Sequence, residues 1–134
     1  MKPDRKPPER KRKVLVVDDE PAVCSFLATA LSDAGYDVTV ATDGRLKGVD
    51  VASQELVLVD IFMPERDGFE VIQQLRKSLP HVAIVAMTGD PNYHGMQALD
   101  IVRRLGADAT LSKPFALKTV LSVCSDLLER AEQP

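Results

Sequence analysis

From Lys13 onward, apolar runs of strand length alternate with longer stretches of helical period, and this alternation restricts the fold more than any other feature of the chain. A short apolar run bounded by turn residues suits a buried strand, whereas apolar residues at i, i+3, i+4 and i+7 suit a helix lying on one face. The first strand reads from Lys13 to Asp18. The helix after Pro21 lines up Val23, Phe26, Leu27, Ala30, Leu31 and Ala34, and Gly35 caps it. Asp37 to Ala41 alternates like an edge strand. Thr42-Asp43-Gly44 then turns into a weak second helix interrupted by Gly48. Leu56 to Asp60 is a continuous buried-strand run, followed by a helix with Val71, Ile72, Leu75 and Leu79 inward, which Pro80 ends. Val82 to Thr88 is the fourth strand. A fourth helix carries Ala98, Ile101, Val102 and Leu105, and Gly106 stops it before a short strand at Ala109 to Ser112. The fifth helix presents Leu117, Val120, Leu121, Cys124, Leu127, Leu128 and Ala131.

Strands joined by helices run parallel, because a parallel pair needs a long crossover. The expectation is therefore an α/β protein with a doubly wound, five-stranded parallel sheet and five helices. Strands one, three and four are apolar throughout and so belong inside, while two and five are shorter or more polar. That suits the order 2-1-3-4-5. In such sheets, ligands bind at the carboxyl ends of the strands, beside the point where the order reverses.

The chain has 134 residues, of which 45% are apolar, enough for one domain with a single core. Residues 1–12 read as a disordered, basic, proline-rich lead-in and residues 13–131 as the domain; few residues follow the last helix, so no output domain is expected within the chain. Residues 1–13 carry seven Lys/Arg against two Asp/Glu, leaving ten basic and eighteen acidic residues for the remainder. The run Arg10-Lys11-Arg12-Lys13 reads as a solvated approach to the first strand, and no nucleic-acid partner is expected. Cys24 and Cys124 fall in apolar periodic segments without metal-site or redox spacing, as reduced buried thiols do. No apolar run has the length of a membrane span and the N-terminus is not signal-like, so a cytoplasmic protein is expected.

The strand ends carry the chemistry. Asp18 and Asp19 follow strand one, Asp60 ends strand three, Thr88 ends strand four and Lys113 follows strand five. Singly, each has an ordinary structural use: a strand-end Asp caps a helix, a Thr bonds the backbone, a Lys is solvated. Together, three carboxylates at one rim repel one another unless a cation is present, and Mg²⁺ suits a site with few carboxylates because it keeps waters and accepts a phosphate oxygen. This is the equipment of phosphoryl transfer. Asp60 is the candidate nucleophile and Asp19, with Asp18, the candidate metal holder. Lys113 would pair with one phosphoryl oxygen and Thr88 would donate a hydrogen bond to another, a contact made only when the phosphoryl group is there.

Over about residues 12–130 the chain resembles the receiver domain of two-component signalling. The strings that carry the likeness are Val14-Leu15-Val16-Val17-Asp18-Asp19-Glu20-Pro21, Asp60-Ile61-Phe62-Met63-Pro64 with Asp67-Gly68, Met87-Thr88-Gly89, and Lys113-Pro114-Phe115. The resemblance implies a flavodoxin-like fold, Mg²⁺ as cofactor, and a histidine kinase or histidine phosphotransfer protein as donor. It implies Asp60 as phosphoacceptor, the Phe62 carbonyl as a further metal ligand, and a cis bond before Pro114. It also implies signalling to a downstream protein through the face of the fourth helix, fifth strand and fifth helix, as a monomer or a phosphorylation-linked dimer, without an enzyme's turnover of a separate substrate. Pro64 and Gly68 read as loop-shaping residues, glycine by its conformational freedom.

Three features depart from the family. Thr110 stands where a rotating aromatic residue is usual. The segment between Gly44 and Asp60 is short, and the loop Asp90-Pro91-Asn92-Tyr93-His94-Gly95 is enlarged and offers Tyr93 as a substitute signal. An aspartyl phosphotransferase or phosphatase is a competing reading, but it wants a second carboxylate two residues after the nucleophile, where Phe62 stands. An unphosphorylated interaction domain is disfavoured by the presence of all five site residues.

Overall fold

Side chains along a strand alternate between faces, and in β1 (Lys13–Val17) the buried residues divide accordingly. Val14 and Val16 enter one core and Leu15 and Val17 another. The same division runs through β3 (Leu56–Asp60) and β4 (Ala83–Thr88), so the sheet is covered on both sides. The computed structural model describes residues 10–63, 67–89, 92–93 and 96–132. Its sheet also contains β2 (Asp37–Ala41) and β5 (Ala109–Ser112), in the order β2-β1-β3-β4-β5 with every pairing parallel. The expected order holds. A two-residue ribbon, Asn92–Tyr93 with Met96–Gln97, stands apart from this sheet.

The helices are α1 (Pro21–Asp33), α2 (Gly68–Ser78), α3 (Ala98–Leu105) and α4 (Leu117–Glu132). Leu27 and Leu31 of α1 and Val120, Cys124 and Leu128 of α4 fill the first core; Val71, Ile72 and Leu75 of α2 and Ala98 and Val102 of α3 fill the second. Gly35 and Gly106 take positive φ just past α1 and α3. After each, a 6→1 bond closes the helix, Tyr36 N–H to the Leu31 carbonyl and Ala107 N–H to the Val102 carbonyl. Arg76 ties α2 to the end of α3, its guanidinium donating to the carbonyl oxygens of Gly106, Pro80 and Val82 and to Asp108.

Four helices stand among the described residues where five were expected: the segment between β2 and β3 forms no helix. Leu46 (φ 57°) and Gly48 (φ 74°) take left-handed backbone that a right-handed helix excludes. Short polar side chains there also bind nearby backbone groups instead, Asp43 Oδ1 accepting from Arg45 N–H and Asp50 Oδ1 from Ser53 N–H. Leu46, Val49 and Val51 still pack on the second core. Four expected inward residues face out, Phe26 at 42% exposed and Leu117 at 45%, with Ala34 and Ala131 exposed as well.

Among the described residues of the basic lead-in, Arg10 and Arg12 are paired. Glu55, just before β3, accepts from the side chains of Arg10 and Arg12 and from the backbone N–H of Lys13. Burial pushes the Glu55 carboxyl up, but these hydrogen bonds outweigh it and bring it to about 2. A carboxyl depressed in the folded state stabilises above its unfolded value of 4.5, and that contribution fades as pH falls toward about 2. Glu55→Gln is therefore expected to cost about 1–2 kcal/mol at pH 7, after allowance for solvent screening. In urea unfolding from pH 7 to 3 the gap between the two proteins should narrow; a gap independent of pH would contradict the pairing.

Candidate functional site

Parallel strands deliver their carboxyl ends to one rim, so residues distant in sequence meet there. Asp18 follows β1 and is fully buried, Asp19 beside it is half-buried, Asp60 ends β3 at 4% exposed and Thr88 ends β4 fully buried. Lys113 follows β5, and its backbone N–H donates to the Thr88 carbonyl at 2.7 Å, which ties the lysine to the end of β4. The Lys113–Pro114 bond is cis.

Local bonds set the carboxylates. Asp18 Oδ1 accepts the Glu20 backbone N–H at 2.9 Å, closing the turn into α1, and Cys24 Sγ donates to the Asp18 carbonyl. Cys24 and Cys124 are both free and buried. Asp60 Oδ1 accepts the N–H of Phe62 at 3.3 Å, and Phe62 is half-buried on the loop after β3. Asp67 caps α2 by accepting from Glu70 N–H, and Gly68 N–H donates to the Ile61 carbonyl. Gly68 does not serve through an unusual φ, as the sequence suggested. A Cβ on it would lie 2.4 Å from the Asp60 carbonyl oxygen and 2.4 Å from Ile61 Cα, so the glycine lets α2 start directly against the backbone of the acidic strand end.

One carboxylate oxygen from each of Asp18, Asp19 and Asp60 can be chosen so that all three lie within 4.8 Å of one another. Lys113 Nζ is 2.8 Å from Asp18 Oδ2 and 3.6 Å from Asp60 Oδ2. The approach to Asp18 is close but not aligned as a hydrogen bond, which leaves the buried Asp18 Oδ2 without a donor. Burial, and next the charge of Asp18, push the Asp60 carboxyl up to about 6, while Lys113 pulls the other way. Burial works against the charge of the Lys113 ammonium, but its contacts with Asp18 and Glu20 more than compensate, and its affinity for the proton is raised. One ammonium among these carboxylates leaves the rim short of positive charge. An undonated buried carboxylate oxygen beside two more oxygen ligands is a donor set that a hard divalent cation fits.

A family model for the response regulator receiver domain matches residues 14–125. The chain belongs to that family. Receiver domains work by phosphorylation on an aspartate, and this receiver domain shares their sheet order. It is 35% identical over 124 residues to the alkaline phosphatase synthesis transcriptional regulatory protein PhoP of Bacillus subtilis, covering 90% of this chain and 50% of that protein. The receiver domain spans about half the length of the curated relatives it matches. Among solved structures it superposes on a CheY-like receiver domain protein from Methanospirillum hungatei with TM-score 0.82 and 25% identity, covering 91% and 97% of the two chains. Chemotaxis protein CheY4 of Vibrio cholerae gives TM-score 0.78 at 29% identity, with coverage of 87% and 98%.

The sequence reading missed one participant. Glu20 Oε1 accepts a hydrogen bond from Lys113 Nζ at 3.0 Å; the acidic run Asp18-Asp19-Glu20 was the available signal. Beside this pair, Val23, Phe26, Pro114 and Phe115 line a groove of about 510 Å³, with the rings of Phe26 and Phe115 6.2 Å apart. Thr110 is half-buried on β5 opposite Ala86. Pro64, Asp90, Pro91, His94 and Gly95 lie outside the described residues, as do the side chains of Tyr93 and Met96. Among the described residues no helix is long and apolar enough to cross a membrane.

Proposed function

We propose that Asp60 takes up a phosphoryl group from the phosphohistidine of a histidine kinase or histidine phosphotransfer protein, and that the phosphorylated chain signals to a downstream protein in the cytoplasm. The observation that carries this reading is the convergence of Asp18, Asp19 and Asp60 within 4.8 Å, with Lys113 Nζ 3.6 Å from the Asp60 carboxylate. An Asp60 carboxylate oxygen bonds to phosphorus as the donor's P–N bond breaks; the electron pair stays on the imidazole nitrogen, which then takes a proton from solvent. Lys113 pairs with one phosphoryl oxygen, and the Thr88 hydroxyl donates to another. Asp18, Asp19, Asp60 and the Phe62 carbonyl would hold Mg²⁺, which when bound offsets the negative charge of carboxylates and phosphoryl group alike.

The output surface in this reading is the face of α3, β5 and α4, where Leu99 is half-buried and Leu117 is 45% exposed. Thr110 is too small to report by ring rotation, so the change is carried by the segment from Thr88 to the start of α3. The receiver domain comprises residues 13–131, acts as a monomer or a phosphorylation-linked dimer, and loses its own phosphoryl group by hydrolysis rather than turning over a separate substrate.

Intact-mass measurement after incubation with acetyl phosphate and Mg²⁺ tests the assignment. The wild type should gain a single phosphoryl group, and Asp60→Asn, or EDTA in place of Mg²⁺, should lower the uptake rate by about 100-fold or more. One phosphoryl group persisting on Asp60→Asn at the wild-type rate would overturn it.

A further inference from the structure

Lys113 has several carboxylates in reach, and its aligned hydrogen bond goes to the one that has no part in the chemistry described above. Glu20 Oε1 accepts it at 3.0 Å, whereas Asp18 Oδ2, the nearest carboxylate oxygen, lies at 2.8 Å and Asp60 Oδ2 at 3.6 Å. The lysine side chain is 14% exposed and that of Glu20 is 59% exposed, so the pair draws the ammonium toward the mouth of the site. Glu20 is well held for this. Its backbone N–H is bonded to Asp18 Oδ1, its carbonyl accepts from Cys24 N–H at 3.1 Å, and Pro21, which follows, opens α1 with its φ already restricted.

We propose that Glu20 is a positioning residue, a latch that shares the Lys113 ammonium with Asp18 and Asp60 and holds it toward the mouth of the site until a phosphoryl group arrives. The inference rests on Asp60 as the phosphoacceptor. On arrival of acetyl phosphate, an Asp60 oxygen bonds to phosphorus, the P–O bond to the acetyl group breaks and acetate leaves with the electron pair. Lys113 stays protonated and exchanges Glu20 for a phosphoryl oxygen. Breaking a largely hydrated ion pair is a small obstacle, so the latch slows uptake modestly. Once Lys113 has moved, Glu20 has no hold on the phosphorylated state.

Two substitutions separate a latch from simple repulsion at the mouth. Glu20→Gln removes the charge, and Glu20→Asp keeps the charge but is one methylene too short to reach Nζ. With acetyl phosphate, saturating Mg²⁺ and fixed ionic strength, both variants should take up phosphate about three- to fivefold faster than wild type, a size set by the weakness of exposed pairs. Loss of the phosphoryl group should change by less than about twofold, as expected of a contact absent from the phosphorylated state. In the wild type without donor, the Lys113 ¹⁵N-ammonium resonance should be protected from exchange with water, and both variants should exchange faster than wild type while Asp18 and Asp60 still hold the ammonium in part. Faster uptake in Glu20→Gln alone would show charge repulsion only and overturn the latch. Unchanged or slower uptake in both, or ammonium exchange equal to wild type, would overturn it too. The ammonium signal needs no donor, so a failed Asp60 assignment, shown by labelling of Asp60→Asn, is distinguishable from a failed latch.

Discussion

Gly68→Ala is expected to destabilise the receiver domain by about 1–3 kcal/mol, the range for forcing extra volume into a packed site. The added methyl would meet the Asp60 carbonyl oxygen and Ile61 Cα at 2.4 Å each, and both are backbone atoms that no rotamer change can move aside. Relief requires α2 to slide away from the end of β3, which also displaces Asp60 itself. Urea unfolding should show the loss, and Mg²⁺-dependent labelling should fall with it. Gly89→Ala is the control, since its Cβ would meet only Lys113 Cβ, at 3.8 Å. A Gly68→Ala protein as stable as the control would sink this account of the glycine.

Lys113→Ala should expose how far the acidic rim depends on a cation. Asp18 is fully buried and Asp60 nearly so, and removing the ammonium 2.8 Å from Asp18 leaves buried negative charge uncompensated. In EDTA the variant should lose about 3 kcal/mol at neutral pH, the usual cost of breaking a buried pair from one side. Mg²⁺ should restore much of this. The pH dependence has a definite sign. The folded-state carboxyl of Asp60 lies above its ordinary value of 3.8, at about 6, through burial first and Asp18 second. The folded protein therefore binds more protons than the unfolded chain between these values, and stability falls as pH rises through that window. Without Lys113 the window should extend higher. Unfolding at pH 5 and 7.5, with EDTA or with Mg²⁺, checks both points; a variant indifferent to the divalent ion would contradict the electrostatic account.

Much of this was legible in the order of the residues. Alternation at i+2 and recurrence at i+3 and i+4 are local signals, and they located β1, β3, β4, α1, α2, α3 and α4 because each element buries a face its own residues define. The strand order followed from the same pattern, since only strands apolar on both faces can lie in the middle of a covered sheet. Asp18, Asp19, Asp60, Thr88 and Lys113 could be picked out as one group because each stands at a strand's carboxyl end, and parallel strands carry those ends to a common rim.

What the tertiary structure decided involves partners with no shared local period. The segment after Gly44 has enough apolar residues for a helix, yet the left-handed backbone at Leu46 and Gly48 and the side-chain bonds of Asp43 and Asp50 make it a loop packed on the second core. Gly68 looked like a turn residue, and only the closeness of the Asp60 backbone shows that the missing Cβ is the point. Arg10 and Arg12 looked solvated until the sheet placed Glu55 beside them. Glu20 and Lys113 are 93 positions apart, and no spacing rule joins them. A repeat along the chain reports which face a residue takes; which groups come within 3 Å across that face is set by how strands and helices pack, and the hold of Glu20 on Lys113 exists only there.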